Sequence, residues 1–201
     1  LKVYDEKVII NSGIVTKQQL SNLKAHLYKQ ILISLRLNPA HKNIRIQIRE
    51  QLDFATVLYQ KGLYKQSLKL LDKAKNLALE NEEKNIAYEI VELEKVIETQ
   101  YITRSLSNRA DLLSIQAKTL SQQNVIASKL SNLSLQLYSY LLQNGYVKNN
   151  KELEFIKNYF YSKLPKYDFE TFGFREKLWL YKSHLWFSFL CQDFLHSYKY
   201  A

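Results

Sequence analysis

The sequence is poor in the residues that break helices and in those that crosslink chains. Its 201 residues include four glycines, two prolines, one cysteine and no methionine. A single cysteine excludes an intrachain disulfide framework and a cysteine-rich zinc site. The scattered glycines form no phosphate-binding loop. So few turn formers also argue against a β-sandwich or barrel, which needs a turn every few residues.

Long apolar runs are missing as well. No run approaches the roughly 18 apolar residues of a membrane-spanning helix, and no secretory signal pattern is visible. We therefore predict a cytoplasmic protein.

The sequence starts at Leu1 rather than Met and stops at Ala201, inside a predicted helix. Either the N-terminus was processed or this is part of a longer protein, and we expect the natural chain to continue.

The remaining composition is that of a folded helical protein. Hydrophobic residues make up 46% and charged residues 24%, which excludes global disorder. Apolar residues recur at intervals of three and four, the period of amphipathic helices. The pattern predicts helices over about 16–37, 44–61, 64–81, 82–103, 106–120, 124–144, 151–164 and 174–191, and one more helix start near 194. Thr16 and Gln19 predict a capping box at the start of the first of these helices, and Asn38-Pro39 predicts its end. Asn144-Gly145 predicts the end of the sixth.

Short connections predict antiparallel helical hairpins. The starts of alternate helices recur with a drifting period of about forty to fifty residues, which is typical of helical-hairpin repeats. The fold class is therefore predicted to be all-α, with antiparallel hairpins stacked in sequence order as one repeat domain over 1–201.

One segment, about 45–80, carries a more specific pattern. Ala55, Ser67 and Ala74 are small residues that let two helices approach closely, and Gly62 permits a turn. The whole pattern comprises Phe54, Ala55, Leu58, Gly62, Tyr64, Ser67, Leu71 and Ala74. It resembles the tetratricopeptide repeat. The departures are Gln51 where Trp is common, Ser67 for Ala, and Leu79 where Pro often closes the unit.

The resemblance implies a right-handed solenoid with a concave groove that binds a protein or peptide, and it implies no catalytic residue. The aromatic-rich end, 172–201, also looks similar to tetratricopeptide proteins of bacteria. Function is therefore expected to be that of a non-catalytic interaction scaffold.

A candidate groove follows from the same alignment. Side chains at intervals of three and four on the helix before Gly62 are expected to form its inner stripe: Arg49, Asp53, Thr56, Tyr59 and Gln60. Related domains that grip a carboxylate use Lys and Asn on this stripe. Leu52 and Thr56 hold the nearest positions here, so that clamp is not carried over, and Arg49 is the expected anion contact.

No constellation predicts catalysis, a cofactor or a metal. The four histidines form no His-x-x-x-His or Glu-x-x-His pair. Cys191 has no neighbouring catalytic residue and is interpreted as an inert thiol. The protein is accordingly expected not to be an enzyme.

Charge leaves an alternative open. The net charge is +10, which attracts nucleic acid, anionic membranes or acidic partners. A nucleic-acid-associated regulator with a basic helical surface is therefore the alternative function. It is disfavoured because the aromatics recur at core spacing and arginines are few. Four lysines at intervals of four, Lys61, Lys65, Lys69 and Lys73, are expected to form a solvated stripe.

Aromatic residues concentrate near the C-terminus. Residues 151–201 hold 16 of the 26, including Trp179 and Trp186. Core packing and a binding interface are both open interpretations. Because Phe194, Tyr198 and Tyr200 crowd the last residues, we also expect self-association through this end, or further repeats that cover it.

Overall fold

The computed structural model describes residues 5–37, 43–100 and 108–200. Over these ranges the protein is all-α, without a strand, and neighbouring helices pack against each other. The chain forms two compact units, Leu1–Gln47 and Ile48–Ala201, which are treated separately below.

The first unit contains helices α1 (Glu6–Asn11) and α2 (Lys17–Leu37). Asp5 caps α1 by accepting a hydrogen bond from the Lys7 backbone N–H. The predicted capping box at the start of α2 is confirmed: the Gln19 N–H donates to Thr16 Oγ1 at 3.2 Å, and the Thr16 N–H donates to Gln19 Oε1 at 2.8 Å. The predicted stop at Asn38 and Pro39 lies outside the described residues.

Seven further helices follow in the described ranges after residue 43. They are α3 (Ile44–Gln60), α4 (Tyr64–Glu80), α5 (Lys84–Gln100), α6 (Arg109–Asn144), α7 (Asn150–Lys163), α8 (Phe174–Leu190) and α9 (Phe194–Lys199), with a 3-10 turn at Phe169–Thr171. Gly62 supplies the positive φ of 74° that the tight α3–α4 turn requires.

Helices α3 and α4 pack as closely as their small residues predict. Ala55, Ser67 and Ala74 are fully buried. The Ser67 hydroxyl donates to the backbone carbonyl of Ala55 at 2.7 Å across the two helices. A side chain much larger than alanine or serine would hold the backbones apart, so this contact depends on residue size.

Helices α3 and α5 run side by side in the same direction. Arg49 lies 3.4 Å from Glu89, and the Tyr59 hydroxyl donates to Gln100 Oε1 at 3.0 Å. The partners are 40 and 41 residues apart in sequence. Helices α3 and α5 are therefore one helical hairpin apart along the chain.

Helix α6 corrects the sequence prediction. Two helices were expected over about 106–120 and 124–144, but Arg109 to Asn144 form one continuous helix of 36 residues. No Gly or Pro lies between these ends, so nothing interrupts it. The predicted stop at Gly145, with a φ of 75°, is confirmed. Leu106 lies outside the described residues.

The first half of α6 packs antiparallel to α5. Arg109, at its start, lies 3.4 Å from Glu98 near the end of α5. Asn124, near its middle, donates to the Lys84 carbonyl at 3.4 Å, at the start of α5.

The second half of α6 runs parallel to α8. The Ser183 hydroxyl donates to the Leu130 carbonyl at 3.0 Å, and the rings of Tyr138 and Trp186 lie 4.6 Å apart. The N-termini of α5 and α8 therefore meet beside the middle of α6. Lys84 and Glu176 form an ion pair of 3.0 Å at this meeting point.

The core of the C-terminal half lies between α6, α7 and α8. Leu133 and Leu137 of α6, Ile156 and Phe160 of α7, and Leu190 of α8 form one buried cluster. The rings of Phe160 and Phe187 stack at 4.2 Å. These contacts leave the outer side of the α6–α8 pair facing solvent.

The α3–α4 contact yields the first prediction. Replacing Ala55, which is 0% exposed, by Trp should destabilise the protein by about 3 kcal/mol or more, because the indole forces the helices apart. Val57→Trp is the control, since Val57 lies on the same helix and is 52% exposed; it should change stability by less than about 0.5 kcal/mol. Denaturant unfolding of both variants measures this. Equal stabilities would refute the close packing at Ala55.

Candidate binding surfaces

The predicted groove stripe lies on α3 and is partly tied to α5. Arg49 and Tyr59 face α5, where they bind Glu89 and Gln100. The Tyr59 ring also lies 5.8 Å from that of Tyr64. Asp53 and Gln60 are exposed, and Thr56 is half-buried. The five residues lie along one face of α3, and Arg49, Asp53 and Tyr59 each have a partner within the chain.

The two positions nearest a carboxylate clamp are unsuited to that role. Leu52 is buried, and the Thr56 hydroxyl donates to the Leu52 carbonyl at 2.9 Å. Neither offers a polar group that points outward for a ligand.

A buried ion network joins α4, α5 and α6. Lys75 Nζ donates to both carboxylate oxygens of Glu94, at 2.8 and 2.6 Å. Arg109 adds a contact of 3.2 Å to Glu94 and one of 3.3 Å to Asp72. Burial raises the pKa of the Glu94 carboxyl even beside these cations. The network fixes three helices in one arrangement and presents no free nucleophile.

A cavity of about 480 Å³ lies beside both buried lysines. The ammonium groups of Lys75 and Lys84 are engaged by Glu94 and Glu176. Much of the remaining wall is apolar, with Leu79, Ile115, Leu120 and Phe172. Sequence reasoning did not anticipate this cavity, because it forms where α5 and α8 meet.

A second concavity, the aromatic groove, lies on the surface between α6 and α8. It measures about 440 Å³. Its lining residues are Ser131, Asn132, Ser134, Leu135 and Tyr138 of α6, and Trp179, Lys182, Leu185 and Trp186 of α8. It therefore contains both tryptophans of the chain. The lining is almost entirely apolar, apart from small hydroxyls, one amide and one ammonium group.

The sequence explains how this groove forms. Trp179, Ser183 and Trp186 are spaced by four and three residues, which places them on one face of α8. Ser183 is fully buried and reaches the α6 backbone, so the two helices lie close at this point. The indoles of Trp179 and Trp186 lie on either side of Ser183, and each is half-buried. Lys182 Nζ lies over the Trp179 ring, 4.9 Å from its centroid.

Sequence reasoning noted both tryptophans as core or interface residues but did not assign them to a site. Their spacing of seven was a usable signal for a shared face. What was missing was the partner wall, because the sequence does not show that α8 packs along the second half of α6. Leu135 and Tyr138 were therefore not placed opposite the indoles.

Helix α2 presents a different kind of surface. Of its apolar stripe only Leu20 is buried, while Leu23, Leu27, Ile31 and Leu35 are exposed. Its charged residues are Lys17, Lys24, Lys29 and Arg36, and none is acidic. The predicted lysine stripe at 61, 65, 69 and 73 is also exposed, as expected.

His184 and Cys191 lie in packed surroundings. The His184 ring packs against Tyr200 at 4.9 Å and Phe160 at 5.1 Å, and burial lowers its pKa. Burial raises the pKa of the Cys191 thiol, which reduces its reactivity. Within the part of the chain that the structure describes, no group of side chains is arranged to hold a metal ion.

The apolar and aromatic side chains near the C-terminus divide into a packed group and an exposed group. Phe189 and Phe194 pack with Tyr146 in an edge-to-face cluster. Leu195 and Tyr198 remain exposed on α9. Self-association through this end stays a prediction.

Comparisons with protein-family models, with curated proteins and with solved structures found no match. Among the helices that the structure describes, none combines the length and apolar character needed to span a bilayer.

The buried ion network yields the second prediction. Lys75→Met should destabilise the protein by about 3 kcal/mol or more, because it leaves the Glu94 carboxylate buried without its main partner. The double variant Lys75→Met/Glu94→Leu should recover at least half of that loss. Lys95→Met, which breaks an exposed 2.8 Å pair with Glu92, should cost less than about 1 kcal/mol. Chemical denaturation measures all three, and a double variant no more stable than the single one would contradict this account.

The third prediction concerns pH. Burial lowers the pKa of His184 from its ordinary 6.5, so the folded protein favours the neutral ring. The stabilisation is complete above pH 6.5 and is lost as pH falls from there through the folded-state pKa. Melting temperatures between pH 7.5 and 5 should fall less for His184→Phe than for wild type. His26→Phe, at an exposed position, should follow the wild-type curve, and parallel curves for all three would exclude a role for His184.

Proposed function

We propose that this chain is a non-catalytic interaction module that binds a peptide or a protein segment in the aromatic groove. The observation that carries the proposal is that both tryptophans and Tyr138 line one apolar surface groove. Tryptophan and tyrosine dominate the binding energy of protein interfaces, and ordinary ligand pockets span about 300 to 1,000 Å³. The repeat-like step from α3 to α5 supports a tetratricopeptide-like scaffold around it.

The groove favours a ligand with one apolar anchor side chain. The rings of Tyr138 and Trp186 meet across the groove, 4.6 Å apart, and Leu135 is exposed beside them. An apolar side chain placed there would lose its contact with water on several sides. The buried serines below add no charge that would oppose this.

Lys182 supplies the polar part of the specificity. Its ammonium group lies at the groove, over the Trp179 ring, and it is the one charged residue of the lining. A carboxylate next to the anchor residue of the ligand would meet this charge. The preferred ligand is therefore a peptide with an apolar anchor and an adjacent Asp or Glu.

Tryptophan fluorescence tests the proposal directly, and this is the fourth prediction. Because both fluorophores line the groove, a bound peptide should shift the emission. The probes are short peptides with one Leu or Phe anchor next to Asp, Ser or Lys. The Asp peptide should bind about tenfold more tightly than its Lys twin, and Lys182→Gln should remove most of that difference.

A matched pair of variants localises the binding. Leu135→Glu should abolish it, because it places a carboxylate in the groove. Leu142→Glu should not, although Leu142 lies on the same helix and is similarly exposed, at 67% against 65% for Leu135. Binding that survives Leu135→Glu, or no response to any anchor peptide, would refute the groove as the site.

Single-stranded oligonucleotides are the alternative ligand in the same fluorescence experiment. A nucleobase that stacks on the indoles would quench their emission, and its affinity would fall steeply with salt. Such a result would replace the peptide proposal with the nucleic-acid-associated function.

A further inference from the structure

The cavity where α5 and α8 meet has the size and the apolar wall of a small-molecule site. Its volume of about 480 Å³ lies within the range of about 300 to 1,000 Å³ that is ordinary for ligand pockets. Leu79 of α4, Ile115 and Leu120 of α6, and Phe172 before α8 supply the apolar part of the wall. An apolar body held between these elements would lose most of its contact with water.

Buried oxygen atoms without a hydrogen bond are concentrated at this cavity. Among the described residues, four side-chain polar atoms are buried and have no hydrogen-bond partner. Two of them, Glu82 Oε2 and Gln116 Oε1, belong to lining residues. A third is Glu176 Oε1, whose carboxylate accepts hydrogen bonds from the lining residues Lys84 and Gly173 through its other oxygen. All three atoms are acceptors, so this region lacks hydrogen-bond donors.

The ion pairs around the cavity have an excess of negative charge, although the chain as a whole carries +10. Three cations pair with five carboxylates: Lys75, Lys84 and Arg109 with Asp72, Glu82, Glu94, Glu98 and Glu176. Lys84 is shared between Glu176 at 3.0 Å and Glu82 at 3.3 Å. A positively charged ligand would therefore meet a carboxylate that one shared lysine only partly neutralises.

Glu82 is the carboxylate that this cavity makes accessible. It is part of the wall, and its side chain is 43% exposed, against 2% for Glu176. Its φ of 58° lies in the left-handed region, which glycine occupies at the corresponding position of the α3–α4 turn, Gly62. Both turns are closed by a backbone hydrogen bond from the next residue to the carbonyl five residues before it. Glutamate is strained in this conformation, and no side-chain hydrogen bond among the described residues offsets the strain.

We propose that this cavity binds a small organic cation, a primary amine with an aromatic or branched apolar body. The ammonium group donates to the Glu82 carboxylate, and the apolar body lies against Ile115 and Phe172. An amine suits the wall because it brings both hydrogen-bond donors and positive charge. An anion would find no free cation, since carboxylates already hold the ammonium groups of Lys75 and Lys84. The inference is independent of the aromatic groove.

Three ligands that share one apolar body test this inference, our fifth prediction. They are 4-phenylbutylamine, 4-phenylbutanol and 4-phenylbutyrate, titrated into the whole chain by isothermal titration calorimetry at neutral pH. The amine should bind about tenfold more tightly than the alcohol, because a hydrogen bond between charged groups is stronger than a neutral one by about that factor. The butyrate should not bind, since it would place a second carboxylate beside Glu82.

Variants at the carboxylate locate the ammonium group. Glu82→Gln should lower the affinity for the amine by about tenfold and leave that for the alcohol unchanged. The control Glu80→Gln removes the same charge from an exposed position outside the wall and should change the affinity less than about twofold. Gly173→Ala keeps the charge, but a Cβ there would collide with the Glu82 carboxylate and displace it. The amine should therefore bind this variant more weakly as well.

A second pair of variants locates the apolar body. Ile115→Gln should weaken the binding of the amine and the alcohol alike, by about fivefold, because part of the apolar wall is lost. Leu112→Gln is the control: Leu112 lies on the same helix, is 47% exposed against 64% for Ile115, and is not part of the wall. It should leave both affinities unchanged. Circular dichroism confirms that each variant keeps its helix content.

Several outcomes would overturn the inference. They are no binding of the amine, equal binding of the amine and the alcohol, tighter binding of the butyrate, and equal binding of the amine by Glu82→Gln. Displacement of the amine by an anchor peptide would place it in the aromatic groove instead. The comparison of the three ligands uses the wild-type chain, so it is decisive even where a variant fails to fold. Peptide binding in the aromatic groove is measured with other ligands, so the two proposals fail separately.

Discussion

The unbroken course of α6 is the constraint on which the second unit depends. Thirty-six residues at about 1.5 Å each give a helix of about 54 Å, long enough to receive one helix on each half. Helix α5 packs antiparallel on the first half, and α8 runs parallel along the second. Because both begin beside the middle of α6, their N-termini face one another there. The cavity between them and the aromatic groove farther along are both consequences of this arrangement.

Charged side chains rather than apolar ones hold that arrangement at two points. Lys75 with Glu94 joins α4 to α5, and Lys84 with Glu176 joins α5 to α8. Burying such pairs costs desolvation that their attraction only partly offsets. Their value is geometric, because a shift of any of these helices would leave a buried charge without its partner. An apolar contact would tolerate such a shift more easily.

The sequence predicted local features well and long-range ones poorly. The capping box at Thr16, the turn at Gly62 and the stop at Gly145 each depend on one or two residues whose backbone preferences are strong, so they could be predicted. The small contact residues Ala55 and Ser67 were also recognised, because a hairpin between adjacent helices is a local structure. The continuous α6 could have been predicted from the absence of Gly and Pro. Instead, the apolar pattern of this segment was assigned to two shorter helices of the length that is usual in helical repeats.

The functional surfaces were harder to predict, because each combines residues distant in sequence. The stripe from Arg49 to Gln60 was predicted from one helix, and the sequence could not show that Glu89 and Gln100 would bind two of its members. The aromatic groove required Leu135 and Tyr138 to lie opposite Trp179 and Trp186, which depends on α8 running parallel to α6. Periodicity along one helix contains no information about that pairing.

The aromatic groove shows how close packing of two helices leaves an apolar groove on the surface. Close approach of α8 to α6 depends on Ser183, whose hydroxyl reaches the Leu130 carbonyl. Helices this close leave no room between them for indole rings one turn away on the same face. The two rings therefore lie at the edges of the contact, half-buried, and enclose an apolar space with Leu135 and Tyr138. In α2 the apolar residues remain exposed instead, because within the described part of the first unit only the six-residue α1 and the first turn of α3 accompany it. In both places apolar side chains stay on the surface because no element of the described chain packs over them.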